Sequence, residues 1–151
     1  ALAVYIKNFG TLSPIPGFRD WFSYLEDSKI KNILGNISLE NISFLKSPDL
    51  KPGDPRILSN KDALLKLVAH YLMNEKNNKK LPINDVCRFH LGNGAIIDDI
   101  IINANVSEVG LNRSFGVMVN YLYELKNIEK NHEDYINNKK IIVSDKVKKL
   151  I

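Results

Sequence analysis

Apolar residues fall into two kinds of pattern along this chain. Ile15, Phe18, Trp21, Phe22 and Leu25 recur at helical spacing, which predicts a helix ending near Glu26–Ser28. Ahead of them, Asn8–Leu12 reads as a short strand. Ile30 to Ser47 alternates only weakly, and Leu39, Ile42, Phe44 and Leu45 predict short helical turns. Pro48, Pro52, Gly53 and Pro55 punctuate a loop. Ser59-Asn60-Lys61-Asp62 opens the next helix with a capping-box-like carboxylate. Leu64, Leu65, Leu67, Val68, Tyr71 and Leu72 give that helix one wide apolar face. The polar run Asn77–Lys80 and then Pro82 stop it. Val86 to Leu91 alternates around His90 and reads as a strand. Gly92-Asn93-Gly94 is a tight-turn signal, and Ala95 to Ile102 reads as a second strand, so the two predict a hairpin. Ser107 caps a further helix with Leu111, Phe115, Met118, Val119, Leu122 and Leu125 on its buried face. Ile128–Ile136 is a shorter helix broken by Asn137-Asn138. After the apolar Ile141–Val143, Ser144 caps a basic terminal helix. Ala1 to Ile6 reads as the tail of a helix or a frayed end. The mixture is α/β of the α+β kind, in one domain.

Thr11 to Phe18, TLSPIPGF, interrupts this pattern most sharply. Pro14 pushes Ser13 away from the α region and itself suits a first helical position. Ser13 therefore reads as an N-cap whose oxygen faces free backbone N–H groups. The same geometry sets its hydroxyl at the end of a strand, beside the positive end of a helix, where an anionic group is favoured. A plain helix cap and a ligand-facing hydroxyl are both open on spacing alone.

Composition narrows the partners. The chain has 151 residues, 25% charged and 44% hydrophobic, enough for a real core. Its net charge of +4 suits either nucleic acid or a phosphate-rich small molecule. The lysines are spread and no aromatic-rich basic strand appears, which argues against nucleic acid. No apolar run is long enough for a membrane span, and no targeting signal is visible, so the expected location is cytoplasmic. Cys87 is the lone cysteine. It has no base near it in sequence, and in a strand it would face away from His90. His70, His90 and His132 are too dispersed to suggest a metal site. On pattern alone His90 is a core histidine, His70 is structural and His132 is solvated. Asn93 serves the turn. Asp98 and Asp99, adjacent in a strand, point to opposite faces and are not a carboxylate pair.

TLSPIPGF at 11–18, FHLGNGA at 89–95 and the NYLY segment Asn120–Tyr123 occur in the same order as in malonyl-CoA decarboxylases, which the chain resembles over nearly its whole length. Ala69-His70-Tyr71-Leu72 and Asn74-Glu75-Lys76 are similar to the helix before the histidine motif in that family. The resemblance implies an acetyltransferase-like (GNAT) fold that binds acyl-CoA, incomplete at its N-terminus and with helical insertions. It implies decarboxylation of malonyl-CoA to acetyl-CoA and carbon dioxide. His90 would then be the general acid, and its titration range suits proton delivery near neutral pH. Ser13 matches the family's serine that contacts the malonyl group and is assigned as proton acceptor. A neutral serine is a weak base, so Ser13 reads better as a donor orienting the carboxylate or the enolate oxygen. Tyr123 matches a substrate-site tyrosine, though an amphipathic-helix residue with its hydroxyl at the rim is the other reading. No cofactor is implied beyond the CoA of the substrate, and the full-length enzyme would be a homo-oligomer.

Two departures from the family accompany this. Asn103-Ala104-Asn105 replaces a Trp-Met-Ala-Asp segment, and losing the carboxylate at Asn105 is expected to weaken a structural hydrogen bond. The glycine-rich phosphate loop and the helical domain upstream of the serine are not found in residues 1–151, which read as the C-terminal portion of the catalytic domain. The chain as it stands is accordingly expected to bind CoA poorly. A non-catalytic remnant of such an enzyme and a GNAT-like acyltransferase are the alternatives.

Overall fold

In the computed structural model, residues 8–151 are described. Ala1–Ile6 and the helix-tail reading lie outside them. The elements in chain order are β1 (Asn8–Pro14), α1 (Phe18–Ser23), α2 (Asp27–Leu34), a 3-10 helix (Leu39–Lys46), α3 (Pro55–Ser59), α4 (Lys61–Asn74), α5 (Asp85–Gly92), β2 (Ile96–Ile101), α6 (Glu108–Ser114), β3 (Met118–Glu124), α7 (Ile128–Asn138) and α8 (Asp145–Lys148). The three strands form an antiparallel sheet in the order β1-β3-β2. The class is α+β, as the pattern predicts.

Met118–Glu124 forms the central strand, where the pattern predicts a helix. Val119, Tyr121 and Tyr123 are buried and alternate with half-buried Met118, Asn120, Leu122 and Glu124. That period of two, with β-branched and aromatic residues, suits a strand. Helix α6 cannot run into it. Phe115 and Gly116 take left-handed φ values of 57° and 83°, which end a helix. The Ser114 hydroxyl then donates to the Val117 carbonyl at 2.7 Å and fixes the turn.

The predicted hairpin around Gly92–Gly94 is a helix, a turn and a strand. Asn84 caps α5 by accepting from the Cys87 N–H at 3.0 Å. Cys87, His90 and Leu91 are buried on one face, at helical spacing. Gly94 closes the turn at φ 90°, and a Cβ there would meet the Ile128 carbonyl at 2.5 Å. Strand β2 falls within the predicted Ala95–Ile102, with a bulge at Asp98. Asn120 donates to Asp98 at 3.2 Å and Lys146 pairs with Asp99 at 3.4 Å, so the two carboxylates serve separate partners.

Ser13 does not cap a helix. It lies in β1, Pro14 ends the strand, and Gly17 at φ 89° is the N-cap of α1. Likewise, the Ser59 hydroxyl donates back to Pro55, and Asn60 occupies the N-cap of α4. The caps at Ser107 and Ser144 are as predicted. Beneath the sheet, Phe18 packs against Trp21, Phe22, Tyr71 and Phe115 with ring centroids 5.4–6.5 Å apart. Leu64, Leu67, Val68 and Leu72 of α4 complete this core. The core anchors β1, α4 and α5 against β3.

Candidate functional site

The antiparallel register places Phe9, Thr11 and Ser13 opposite Tyr123, Tyr121 and Val119. Residues directly opposite share a face, so the hydroxyls of Ser13 and Tyr123 look out from the same side of the sheet. Helix α5 lies over that side and lowers His90 between them. The His90 Nε2 is 3.1 Å from Ser13 Oγ. Its Nδ1 is 2.6 Å from Tyr123 Oη. Ser13, His90 and Tyr123 are 6%, 8% and 8% exposed, so the chain of hydrogen bonds is nearly closed to water. The three residues highlighted in the sequence are thus brought together from β1, α5 and β3. For Tyr123 the supporting element is a strand and not the predicted helix. For His90 it is a helix and not the predicted strand.

Residues the sequence reading passed over surround this trio. Thr11 Oγ1 sits 3.4 Å from Ser13 Oγ. The Tyr121 ring lies under the imidazole, centroids 4.4 Å apart and planes 19° from parallel. Phe9 stacks on Tyr123 at 4.8 Å, and Phe89 meets His90 edge-on at 5.2 Å. Reading Met118–Glu124 with a period of two puts Tyr121 and Tyr123 on one face, which was the available signal.

Burial penalises charge on every titratable member. It lowers the His90 pKa below the ordinary histidine value and raises that of Tyr123. His90 is therefore neutral at neutral pH, and its titration lies lower than the sequence led us to expect. A phenol is a far stronger acid than a neutral imidazole N–H, so Tyr123 donates to Nδ1. The imidazole proton then sits on Nε2 and points at Ser13 Oγ. Ser13 then keeps its own O–H to donate, to Thr11 Oγ1 at 3.4 Å or onward to a ligand.

The remaining sequence candidates are placed apart from this chain of bonds. Cys87 is one helical turn from His90, on the same face, because the segment is a helix. Its thiol is fully buried, near the Leu72 carbonyl, and burial pushes its pKa up to about 12. A thiol so protonated is no nucleophile. The Asn74 side chain donates to His70 Nδ1 at 3.3 Å, and His70 Nε2 donates to Glu75 at 3.1 Å. His132 is exposed and donates to the Gly92 carbonyl at 2.6 Å. Asn93 sits in the turn and bonds to the Phe89 carbonyl. The Asn105 amide oxygen accepts from both the N–H and the hydroxyl of Ser107, so it retains acceptor roles without a carboxylate.

An α+β domain holds a neutral histidine between two hydroxyls, nearly closed to water, an arrangement distinct from serine–histidine–carboxylate. Comparison with known proteins identifies the family. Residues 3–151 match the profile of the malonyl-CoA decarboxylase C-terminal domain. The chain is 32% identical to the mitochondrial malonyl-CoA decarboxylase of Mus musculus, over 95% of its own length and 32% of that protein's. The crystal structure of malonyl-CoA decarboxylase from Rhodopseudomonas palustris superposes with a TM-score of 0.84 at 35% identity, covering 95% of this chain and 33% of that one. The corresponding structure from Agrobacterium vitis gives 0.80 at 35% identity, covering 95% and 35%. The chain belongs to the malonyl-CoA decarboxylase family, and it spans about a third of the length of the relatives it matches. Among the described residues, no helix is long and apolar enough to cross a membrane.

Proposed function

We propose that this chain carries the acyl-end machinery for decarboxylating malonyl-CoA to acetyl-CoA and carbon dioxide. The C–C bond to the carboxylate breaks, its electron pair enters a thioester enolate, and carbon dioxide leaves. The site's tasks are to hold that bond perpendicular to the thioester plane, stabilise the enolate oxygen and protonate carbon. Ser13 donates through its O–H to the malonyl carboxylate or to the developing enolate oxygen. After carbon dioxide leaves, the Ser13 hydroxyl proton passes to the α-carbon, the His90 Nε2 proton refills Ser13 Oγ, and the Tyr123 proton moves to Nδ1. Solvent then restores the phenol. A thioester enolate is far more basic than a phenolate, so the relay runs downhill despite the burial of Tyr123. The chemistry asks for no metal and no cofactor beyond the CoA of the substrate.

The observation that carries this reading is the continuous Ser13–His90–Tyr123 hydrogen-bond chain, assembled from three separate elements. The same reading takes residues 1–151 as the C-terminal portion of a catalytic domain of acetyltransferase-like (GNAT) type. It takes the full-length enzyme as a homo-oligomer, with family membership as its support. Replacing His90→Ala in the protein should lower malonyl-CoA turnover by roughly 10²–10⁴-fold, the usual worth of a positioned acid, with the fold retained. Near-normal release of carbon dioxide from that variant would remove His90 from the mechanism.

A further inference from the structure

Two hydrogen bonds, to Ser13 Oγ and Tyr123 Oη, hold the ring nitrogens of His90, and its Cβ is fixed to α5. Hydrogen bonds tolerate some tilt of the ring out of its plane. A contact on the ring face limits that tilt and narrows the direction in which Nε2 presents its proton. Tyr121 supplies one. It is fully buried on β3, and its ring is nearly parallel to the imidazole at 4.4 Å between centroids. Its hydroxyl lies beside the Cys87 thiol, a weak partner, and meets no oxygen or nitrogen partner. Neither hydrogen bond to His90 involves it, so the residue reaches His90 through its ring face.

We propose that Tyr121 is a positioning residue for His90, acting through its π face and independently of its hydroxyl. The inference rests on the reading of His90 as proton donor. The ring limits tilt of the imidazole, and a π face also favours the cationic form of whatever lies over it. That attraction opposes the burial that holds His90 below its ordinary range. Burial is the cause of that lowering, with no charged neighbour among the described residues contributing to it. The hydrogen-bond and ring partners of His90 are Ser13 from β1, Tyr121 and Tyr123 from β3, and Phe89 beside it on α5. The Cys87 thiol, one turn away on α5, is protonated.

Tyr121→Phe, Tyr121→Leu and Tyr121→Met separate ring from hydroxyl, and Met fills much of the volume should Leu unfold the sheet. Each is read by kcat and KM for malonyl-CoA and by the NMR titration of the His90 ring. Tyr121→Phe should keep kcat within about twofold and leave the His90 titration in place, because the face remains. Tyr121→Leu or Tyr121→Met should lower kcat roughly tenfold with KM little changed, since orientation and not binding is lost. Both should move the His90 midpoint down by about half a unit, the worth of a lost aromatic–cation contact. A folded Leu or Met variant with normal kcat and an unmoved titration would overturn the proposal. So would Tyr121→Phe failing as badly as Tyr121→Leu. A His90→Ala control separates the two readings. Full activity there removes the proton-donor role, whereas the ring titration in the Tyr121 variants, which keep His90, still reports whether Tyr121 acts on the imidazole.

Discussion

Two histidines in this molecule have nearly the same local company. Each bonds through both ring nitrogens, and each lies against an aromatic ring. His70 stacks on Trp21 at 6.1 Å and His90 on Tyr121 at 4.4 Å. They differ in what holds the nitrogens. The His70 partners, Asn74 and Glu75, come from the same helix end, four and five residues away. Lys29 closes that cluster on Glu75 at 2.6 Å. The partners of His90 are hydroxyls 77 and 33 residues away in sequence, on two different strands. The first arrangement ties the start of a loop to a helix and leaves the imidazole with its proton committed to a carboxylate. The second builds a neutral chain of hydrogen bonds. A histidine's neighbours by type say little about its work. The distance along the chain from which they are gathered, and their charge, say more.

The comparison breaks most visibly in turnover. His70→Ala should leave kcat within about twofold, against the roughly 10²–10⁴-fold loss expected of His90→Ala. A comparable loss in both would mean that His70 touches the chemistry. Tyr123→Phe comes next. It removes the proton that reloads Nδ1 while keeping the ring that stacks on Phe9. A loss of about 10–10² in kcat, with KM little changed, is the expected result of deleting one relay member. Equal kcat would assign Tyr123 to packing.

Little of this contrast was legible in residue pattern. The family motifs led to Ser13, His90 and Tyr123, and their meeting point followed from none of the periodicities. Leu111 to Leu125 has apolar residues dense enough to satisfy a helical period and a strand period at once. The decision fell to Phe115 and Gly116, whose left-handed backbone ends α6. Phe115 is an unusual residue for that conformation, so the break carried a weak signal. Val86–Leu91 also alternates, but Asn84 capping Cys87 settles it as a helix, and Pro82 two residues ahead was the cue. Helix α4, with its uninterrupted wide apolar face, was legible almost to the residue. The Asp98 bulge and the swap of Ser13 from cap to strand depend on tertiary pairing, which no local window contains.

A pH titration of stability sharpens the comparison further, because the two clusters act in different windows. His90 has a lowered folded pKa, so the unfolded chain binds its proton more readily. The neutral histidine's contribution is fully present above the unfolded value of ~6.5 and is lost as pH falls from there through the folded pKa. Glu75 is pushed up by burial, but the hydrogen bonds from Lys29 and His70 outweigh that and hold it below the ordinary carboxylate value. Its contribution is present above ~4.3 and is lost as pH falls through its folded pKa. Denaturant midpoints across this range should show a first decline that His90→Gln abolishes and a more acidic one that Glu75→Gln abolishes. The Glu75 step should be small, about 0.2–1 kcal/mol, because the Lys29 end of the pair is about half exposed to solvent. A single decline insensitive to His90→Gln would contradict the burial of a neutral imidazole.

The smallest effect concerns Cys87. With its thiol buried and its pKa pushed up to about 12, it should resist alkylation at neutral pH in the native protein and react on denaturation. Rapid native labelling would mean that α5 opens readily, and the closed setting of His90 would fall with it.

The central claim is that Ser13 on β1 and His90 on α5 act as one unit. The most direct measurement is the malonyl-CoA decarboxylation rate of Ser13→Ala, His90→Ala and the double variant, each checked for folding. Residues acting as one unit give non-additive losses. The account predicts that the double variant is no slower than His90→Ala alone, to within about threefold. Losses that multiply would show two independent contributions and contradict a shared site.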